Sequence, residues 1–230
     1  MKYSKVEEGI FIKRINRFIA DIYVNGIIEK VHVKNTGRCK ELFIEGRKVY
    51  LQKSDKLERK TKYSLISIYK GDKLINIDSQ VPNYVVYESI LSNELPEFID
   101  LAEVKREKVY KNSRFDIYYK RKSGKEGFIE IKGVTLESEG KTLFPDAPTE
   151  RGRKHVYEMI DAVDNGYEGT IFFLVQLEDA KEFEPNDNTD KKFADALRKA
   201  EKCGVKIIVY TSYVTKNTIK IKNRINYKIS

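Results

Sequence analysis

Asn25-Gly26 lies between two β-rich runs, residues 18–24 and 27–33, and this limits the fold more than any other short feature of the chain. A two-residue turn joining antiparallel strands needs positive φ at both central positions, which Asn and Gly supply most readily. The same logic predicts two more hairpins. Residues 41–44 and 48–51 flank Glu45-Gly46, and residues 63–69 and 74–78 flank Gly71-Asp72. About five or six short strands with tight turns imply a small closed or partly open barrel. An OB-like barrel is the preferred form, because its curved face and loops can take a nucleic-acid strand.

Beyond residue 80 the pattern changes. Val81-Pro82-Asn83 punctuates the chain, and residues 84–93 follow with helical apolar spacing. Strands are predicted at 114–120, 127–134, 170–176 and 206–210, and helices at 150–164 and 190–202, the last ended by Cys203-Gly204. Residues 184–190 read as a polar loop, and the tail after Tyr213 as a Lys- and Asn-rich strand or an irregular end. Strands alternating with helices indicate an α/β domain with a mixed sheet. The chain therefore divides into a β domain at 1–80 and an α/β domain at 81–230, an α+β organisation as a whole.

Charge follows the same division. Residues 1–80 hold 18 basic and 10 acidic side chains, net +8, whereas residues 81–230 hold 26 and 25, net +1. A basic module joined to a near-neutral one is expected to grip a polyanion; the alternative is a lysine-rich solubilising surface. Two cysteines, Cys39 and Cys203, give neither a disulfide framework nor a cysteine zinc site, which points to a reducing, cytoplasmic setting. No apolar stretch approaches the roughly 20 residues needed to span a bilayer, and no apolar segment follows the N-terminus as in a signal peptide.

The chemistry concentrates in Asp116 and in Glu130-Ile131-Lys132. Side chains two apart on a strand share a face, so Phe128, Glu130 and Lys132 point one way and Ile129 and Ile131 the other. A turn at Ser123-Gly124-Lys125 folds the two strands into a hairpin that brings Asp116 beside Glu130. Two carboxylates with open coordination positions suit Mg²⁺ or Mn²⁺, and a nearby lysine can hold a water or offset phosphate charge. The alternative is an edge hairpin with a cross-strand salt bridge. Gln176, at the end of an apolar run, is a candidate to face the same crevice, and Glu88 on the first helix is a further possible metal carboxylate. In residues 144–155, Thr149 can cap a helix whose first turns carry Arg151, Arg153, Lys154 and His155. Cations there oppose the helix dipole, so a bound phosphate would account for them; the alternative is a solvated basic helix start. Lys34, Asn35 and Arg38 leave a strand into a turn that can contact a phosphate backbone.

Taken together, Arg17-Phe18, Asn35-Thr36-Gly37-Arg38, Arg59-Lys60-Thr61, Val81-Pro82-Asn83, Ser113-Arg114-Phe115-Asp116, the run from Glu130 to Leu136, and residues 144–155 resemble the sugar fermentation stimulation protein family over essentially the whole chain. The resemblance implies an N-terminal OB-type barrel, a C-terminal PD-(D/E)XK nuclease-like α/β domain, and DNA binding without strong sequence preference. It places Asp116, Glu130 and Lys132 on the nuclease-fold motif, with Gln176 and Glu88 as looser matches, and adds Arg59 and Lys60 to the expected DNA contacts. Phe115 stands where the general nuclease motif has proline, Gly133 where the family pattern leads one to expect serine, and Pro148 where it leads one to expect valine. Two functions follow: a Mg²⁺-dependent nuclease steered by a basic barrel, or a non-catalytic DNA-binding regulator of sugar metabolism built on a nuclease-like scaffold. An RNA-directed role is a third.

Overall fold

The computed structural model describes residues 1–35, 37–55 and 58–229. The barrel is built from β1 (Val6–Asn16), β2 (Ile19–Val24), β3 (Ile27–Val33), β4 (Lys48–Lys53) and β5 (Tyr63–Lys70), with β6 (Lys73–Asn76) hydrogen-bonded to β5. Alternation fills its interior: Ala20, Ile22 and Val24 of β2 meet Val31 and Val33 of β3, while Tyr23 and Ile28 point outward. The hairpins at Asn25-Gly26 and Gly71-Asp72 form as predicted, with both Asn25 and Gly26 at positive φ. A parallel pairing of β3 with β5, His32↔Ser64 and Val33↔Leu65, closes five strands into a barrel.

The hairpin expected around Glu45-Gly46 does not form. The Leu42 and Phe43 N–H groups both donate to the Cys39 carbonyl, and Arg47 donates to the Leu42 carbonyl, so 41–44 is a turn with Leu42 buried beneath it. β4 pairs instead with β5 and with β1, a strand the sequence reading missed. β1 serves two neighbours along its 11 residues, and β2 crosses it closely at Gly9. A Cβ there would lie 2.8 Å from the Ile22 side chain and 2.9 Å from the Tyr23 carbonyl.

The second domain starts with α1 (Val81–Leu91), whose first turn holds Pro82, followed by a short 3₁₀ turn at Pro96–Phe98. Then come β7 (Leu101–Tyr110), β8 (Ser113–Arg121), β9 (Glu126–Val134), β10 (Leu136–Ser138), β11 (Lys141–Phe144), α2 (Glu150–Asp164), β12 (Glu168–Val175), β13 (Glu182–Pro185), α3 (Asp187–Lys202), β14 (Lys206–Val214), β15 (Ile219–Arg224) and β16 (Asn226–Tyr227). The main sheet has the order β15-β14-β12-β9-β8-β7, with β9, β12 and β14 mutually parallel and the outer strands antiparallel. α2 and α3 supply the crossovers that parallel neighbours require. α2 and α3 bury Val156, Met159, Phe193 and Leu197 with Phe115, Phe128 and Phe173, while α1 buries Val85, Val86 and Ile90 with Ile117, Ile129, Ile131 and Phe172. A second, four-stranded sheet has the order β10-β11-β13-β16. Residues 184–190, expected as a loop, instead carry the end of β13 and the start of α3. Among the described residues no helix is long and apolar enough to cross a membrane.

The two parts are joined by more than their linker. Lys2 bridges Thr218, and Tyr3 donates from its N–H to the Asn217 carbonyl, so the first residues of the chain lie against the β15 side of the main sheet. The Tyr3 ring is buried, and its hydroxyl accepts from Asn76 Nδ2 at 3.0 Å. On the other side Glu137, almost fully buried, takes Lys70 at 3.0 Å and Lys73 at 2.6 Å from the barrel, and the Gly140 N–H at 2.7 Å. Burial alone would raise the Glu137 pKa, but the hydrogen bonds from Lys73, Gly140 and Lys70 outweigh it and hold the group at about 2. A depressed carboxyl stabilises the fold fully above its unfolded value of 4.5 and loses that contribution as pH falls toward about 2. Glu137→Gln is therefore expected to cost about 1–3 kcal/mol at neutral pH. In denaturant titrations, the gap from wild type should narrow steadily below pH 4.5; a gap independent of pH would remove the charge from the explanation.

Candidate functional site

The β8–β9 ladder runs from Lys120↔Glu126 to Ile117↔Ile129 and then parts. Beyond that point the Ile131 N–H donates to Asp116 Oδ2 at 2.7 Å, so a side chain takes the place of a backbone partner and the strands splay into a cleft. Asn83, on the first turns of α1, donates to Asp116 Oδ1 at 2.6 Å. Both carboxylate oxygens are thus oriented by neutral donors. Burial, and then the nearby Glu130 charge, push the Asp116 pKa up to about 6.

Glu130 is 3% exposed. Its Oε1 accepts from Lys132 Nζ at 2.6 Å and faces His155 Nδ1 at 2.5 Å. Burial alone would raise this carboxyl, but Lys132 and His155 bring it below its ordinary value. Its other oxygen, Oε2, is buried and has no partner among the described residues. Such an atom carries a desolvation cost that a partner ordinarily removes. Asp116, Glu130, Lys132, His155, Asn83 and Arg151 line one cavity of about 240 Å³, with Ser79 and Thr149 in its wall. Among the described residues no three His, Cys, Asp or Glu side chains are grouped to hold a metal ion, so the protein offers a cation here two carboxylates. That donor set fits an octahedral ion that retains several waters.

The sequence predictions are sorted by this geometry. Asp116, Glu130 and Lys132 come together as expected, on a hairpin turned at residues 122–125. His155 is a buried ring packed edge-on to Phe115, and it orients Glu130. Thr149 caps α2 by accepting the Gly152 N–H at 3.0 Å. The cations at that helix start are partly offset by Glu150 and by Asp190, whose Oδ2 accepts the Thr149 N–H at 2.8 Å. Arg151 is exposed at the cavity, Arg153 is half-buried, and Lys154 reaches the Asn112 carbonyl at 3.1 Å.

Glu88 is not at the cavity. It pairs with the N-terminal ammonium of Met1 at 2.8 Å, on the part of α1 that packs against β15. Gln176 also lies outside the cavity. Its Nε2 donates to Asn76 Oδ1 at 2.8 Å and to the Asp78 carbonyl at 3.2 Å, which fixes the α/β domain to the barrel. Asn35 is buried and shapes its own turn, with Oδ1 accepting the Gly37 N–H and its carbonyl accepting from Arg14. Thr36 of the same turn lies outside the described residues. Lys34 is neutralised by Asp78 at 2.8 Å, whereas Arg38 and Lys60 are exposed. Arg59 lines a cavity of about 460 Å³ on the barrel with His32, Lys34, Lys53 and Gln80. Burial, then the charges of Arg59 and Lys34, lower the His32 pKa.

Sequence reasoning missed Asn83, Arg14 and Asp190. Asn83 sits in Val81-Pro82-Asn83, where the local pattern marks a domain boundary and nothing local marks a donor to Asp116. Arg14 donates to the carbonyls of Arg17, Asn35, Gly37 and Arg38, and so ties these four residues together.

Residues 12–77 match the family model described as the SfsA N-terminal OB domain, and residues 80–218 match that of the sugar fermentation stimulation protein RE domain. The chain is 49% identical over 230 residues to the sugar fermentation stimulation protein homolog of Alkaliphilus oremlandii (strain OhILAs), with 98% of each chain covered. It is 46% identical to that of Clostridium botulinum (strain Loch Maree / Type A3), with both chains covered completely. Among solved structures, SfsA from Pyrococcus furiosus in complex with Ca²⁺ aligns with a TM-score of 0.90 at 29% identity, covering 99% of this chain and 98% of that one. The expected architecture, an OB-type barrel followed by an α/β domain, is the observed one. The chain belongs to the sugar fermentation stimulation protein family.

Proposed function

We propose that the protein binds DNA and hydrolyses its phosphodiester bonds at the Asp116–Glu130–Lys132 cavity with Mg²⁺ or Mn²⁺. The observation that carries this reading is the buried, unpartnered Glu130 Oε2 beside a carboxylate whose pKa is raised to about 6. A cation between the two groups would satisfy the first and relieve the second. The structural relative solved with Ca²⁺ is in keeping with a divalent ion.

A bound divalent cation would supply Lewis-acid polarisation of a phosphoryl oxygen and a more acidic water. The chain's own groups do the rest. Asn83 and the Ile131 N–H fix the Asp116 carboxylate, and His155 and Lys132 hold Glu130 by one oxygen and leave the other for the ion. Lys132 Nζ and the Arg151 guanidinium place positive charge where a phosphate would develop more negative charge. DNA reaches the cavity along the barrel. Gln80 lines the Arg59 cavity and Ser79 lines the Asp116 cavity, so consecutive residues carry a polar path from one to the other. The two free cysteines fit a cytoplasmic protein.

Asp116→Asn separates a metal ligand from a structural carboxylate. By calorimetric titration, Mg²⁺ and Mn²⁺ affinity should fall by at least about tenfold, the lower end of what even outer-shell losses cost. The thermal midpoint should change little, because the new Oδ1 can keep the Ile131 N–H, Asn83 can turn its amide to accept from the new Nδ2, and a like charge beside Glu130 is removed. Unchanged metal affinity would rule out Asp116 as a ligand.

A further inference from the structure

Beside the carboxylate cavity lies a second one, of about 400 Å³, between the barrel turn at 35–39 and the strands β10 and β11. It shares Ser79 and Thr149 with its neighbour, so the two open on either side of one common wall. Its volume falls in the usual range for small-molecule pockets. Leu136, Leu143 and Phe144 provide apolar wall, and the exposed Arg17 stands at its edge as Arg151 does at the other cavity.

Two side-chain acceptors line it, on Gln176 and Asp146, beside donors on Arg17 and Asn35. Gln176 spends its Nε2 on Asn76 and Asp78, which leaves Oε1 as its available atom. That oxygen sits 2.4 Å from where a Cβ of residue 133 would be, so Gly133 keeps a side chain out of its place, and the rest of Gln176 is buried. Asp146 adds a carboxylate, whose Oδ2 accepts the Cys39 N–H at 3.4 Å. Apolar walls with two such acceptors suit a planar heterocycle that carries an exocyclic amine.

We propose that this second cavity is a subsite for one unstacked nucleobase of the DNA strand whose phosphate lies at Asp116 and Glu130, with a preference for adenine or cytosine over thymine. This deepens the nuclease reading and rests on it. Gln176 Oε1 and Asp146 accept from the exocyclic amine, which thymine lacks, and the guanidinium groups of Arg17 and Arg151 flank the backbone on both sides of the shared wall. Enzymes whose chemistry is on a base hold it out of the stack in such a pocket, and proteins that bind single strands stack successive bases on aromatic side chains.

Abasic scanning tests the subsite without any cleavage. Single-stranded tetranucleotides lacking each base in turn are titrated against the full-length protein in EDTA at low salt. Loss of one particular base should weaken binding by about tenfold or more, the scale of a single base contact, while the other positions matter less. At that position adenine or cytosine should bind on the order of tenfold better than thymine, about one hydrogen bond. Ala147→Phe, which fills the cavity, should make the scan flat. A flat scan in wild type, with binding intact, overturns the subsite and leaves the nuclease reading standing. Equal affinity for thymine overturns the acceptor assignment. No binding of any DNA at low salt, in EDTA and again with Ca²⁺ in its place, removes the nuclease reading itself, and the subsite with it.

Discussion

Lys132→Ala is expected to slow DNA cleavage by on the order of 10²–10³, the usual cost of one electrostatic stabiliser of developing charge. Affinity for DNA and for Mg²⁺ should change little. The geometry explains the separation. Lys132 Nζ contacts Glu130 Oε1, the oxygen also held by His155, so its removal leaves the orientation of Glu130 to the imidazole and does not touch Oε2. Cleavage of single-stranded, double-stranded and branched substrates, measured beside gel shifts on one preparation, reads both properties. Unchanged cleavage in the variant would mean that another group acts on the phosphate. A wild-type protein that binds DNA and metal but cuts none of the three would favour a regulator built on the same scaffold.

A second large effect is expected from salt. Arg38, Arg59, Lys60, Arg151, Arg153 and Lys154 are the predicted cationic contacts left once Lys34 is discounted for its buried pairing with Asp78; the pairing of Lys154 with Glu158 is longer and exposed. If all of them meet phosphates, log affinity should fall against log salt with a slope of about −5 on duplex and about −4 on single strands. Between about 50 and about 200 mM salt, duplex affinity then drops by about 10³. Filter binding across that range measures the slope. Neutralising Arg59 and Lys60 together should lower its magnitude by about 2 if both contact phosphates. A slope near zero would leave the net +8 of the first 80 residues as a solubilising surface.

The chemistry was legible where it followed strand alternation. Asp116, Glu130 and Lys132 lie on adjacent strands of one hairpin, so a two-residue period and a Gly-containing turn were enough to bring them together. Glu88 shows where that reasoning runs out. A helix position has meaning only relative to a contact that fixes the helix's rotation, and here the fixing contact is Asn83 with Asp116. Five residues further on, Glu88 lies about 140° round the axis, away from the cavity. Gln176 was placed correctly at a strand end, but its partners Asn76 and Asp78 are in the barrel, and no local pattern announces them.

Two of the strands that escaped did so for opposite reasons. β7 is a charged edge strand, largely exposed, and charge on an edge protects it from pairing while erasing the apolar alternation that would reveal it. β1 buries chiefly Gly9 and Phe11, because most of its 11 residues serve hydrogen-bonding to two neighbours and not packing. The false hairpin at 41–51 arose from a real positive-φ glycine, Gly46, in a turn whose preceding residues are held by Cys39 and Arg47.

The attachment of Lys2 and Tyr3 to the β15 side of the main sheet has a mechanical meaning. The chain leaves the α/β domain to make the barrel and returns to it at α1, so the barrel hangs between two anchor points, as a loop does, and does not swing from one linker. A polymer pulling on the barrel loads both anchors at once, and Glu137 with Lys70 and Lys73 resists rotation about the line between them. Tension along a bound strand would therefore be delivered to the cleft as displacement of the whole body, with little of it absorbed by a hinge.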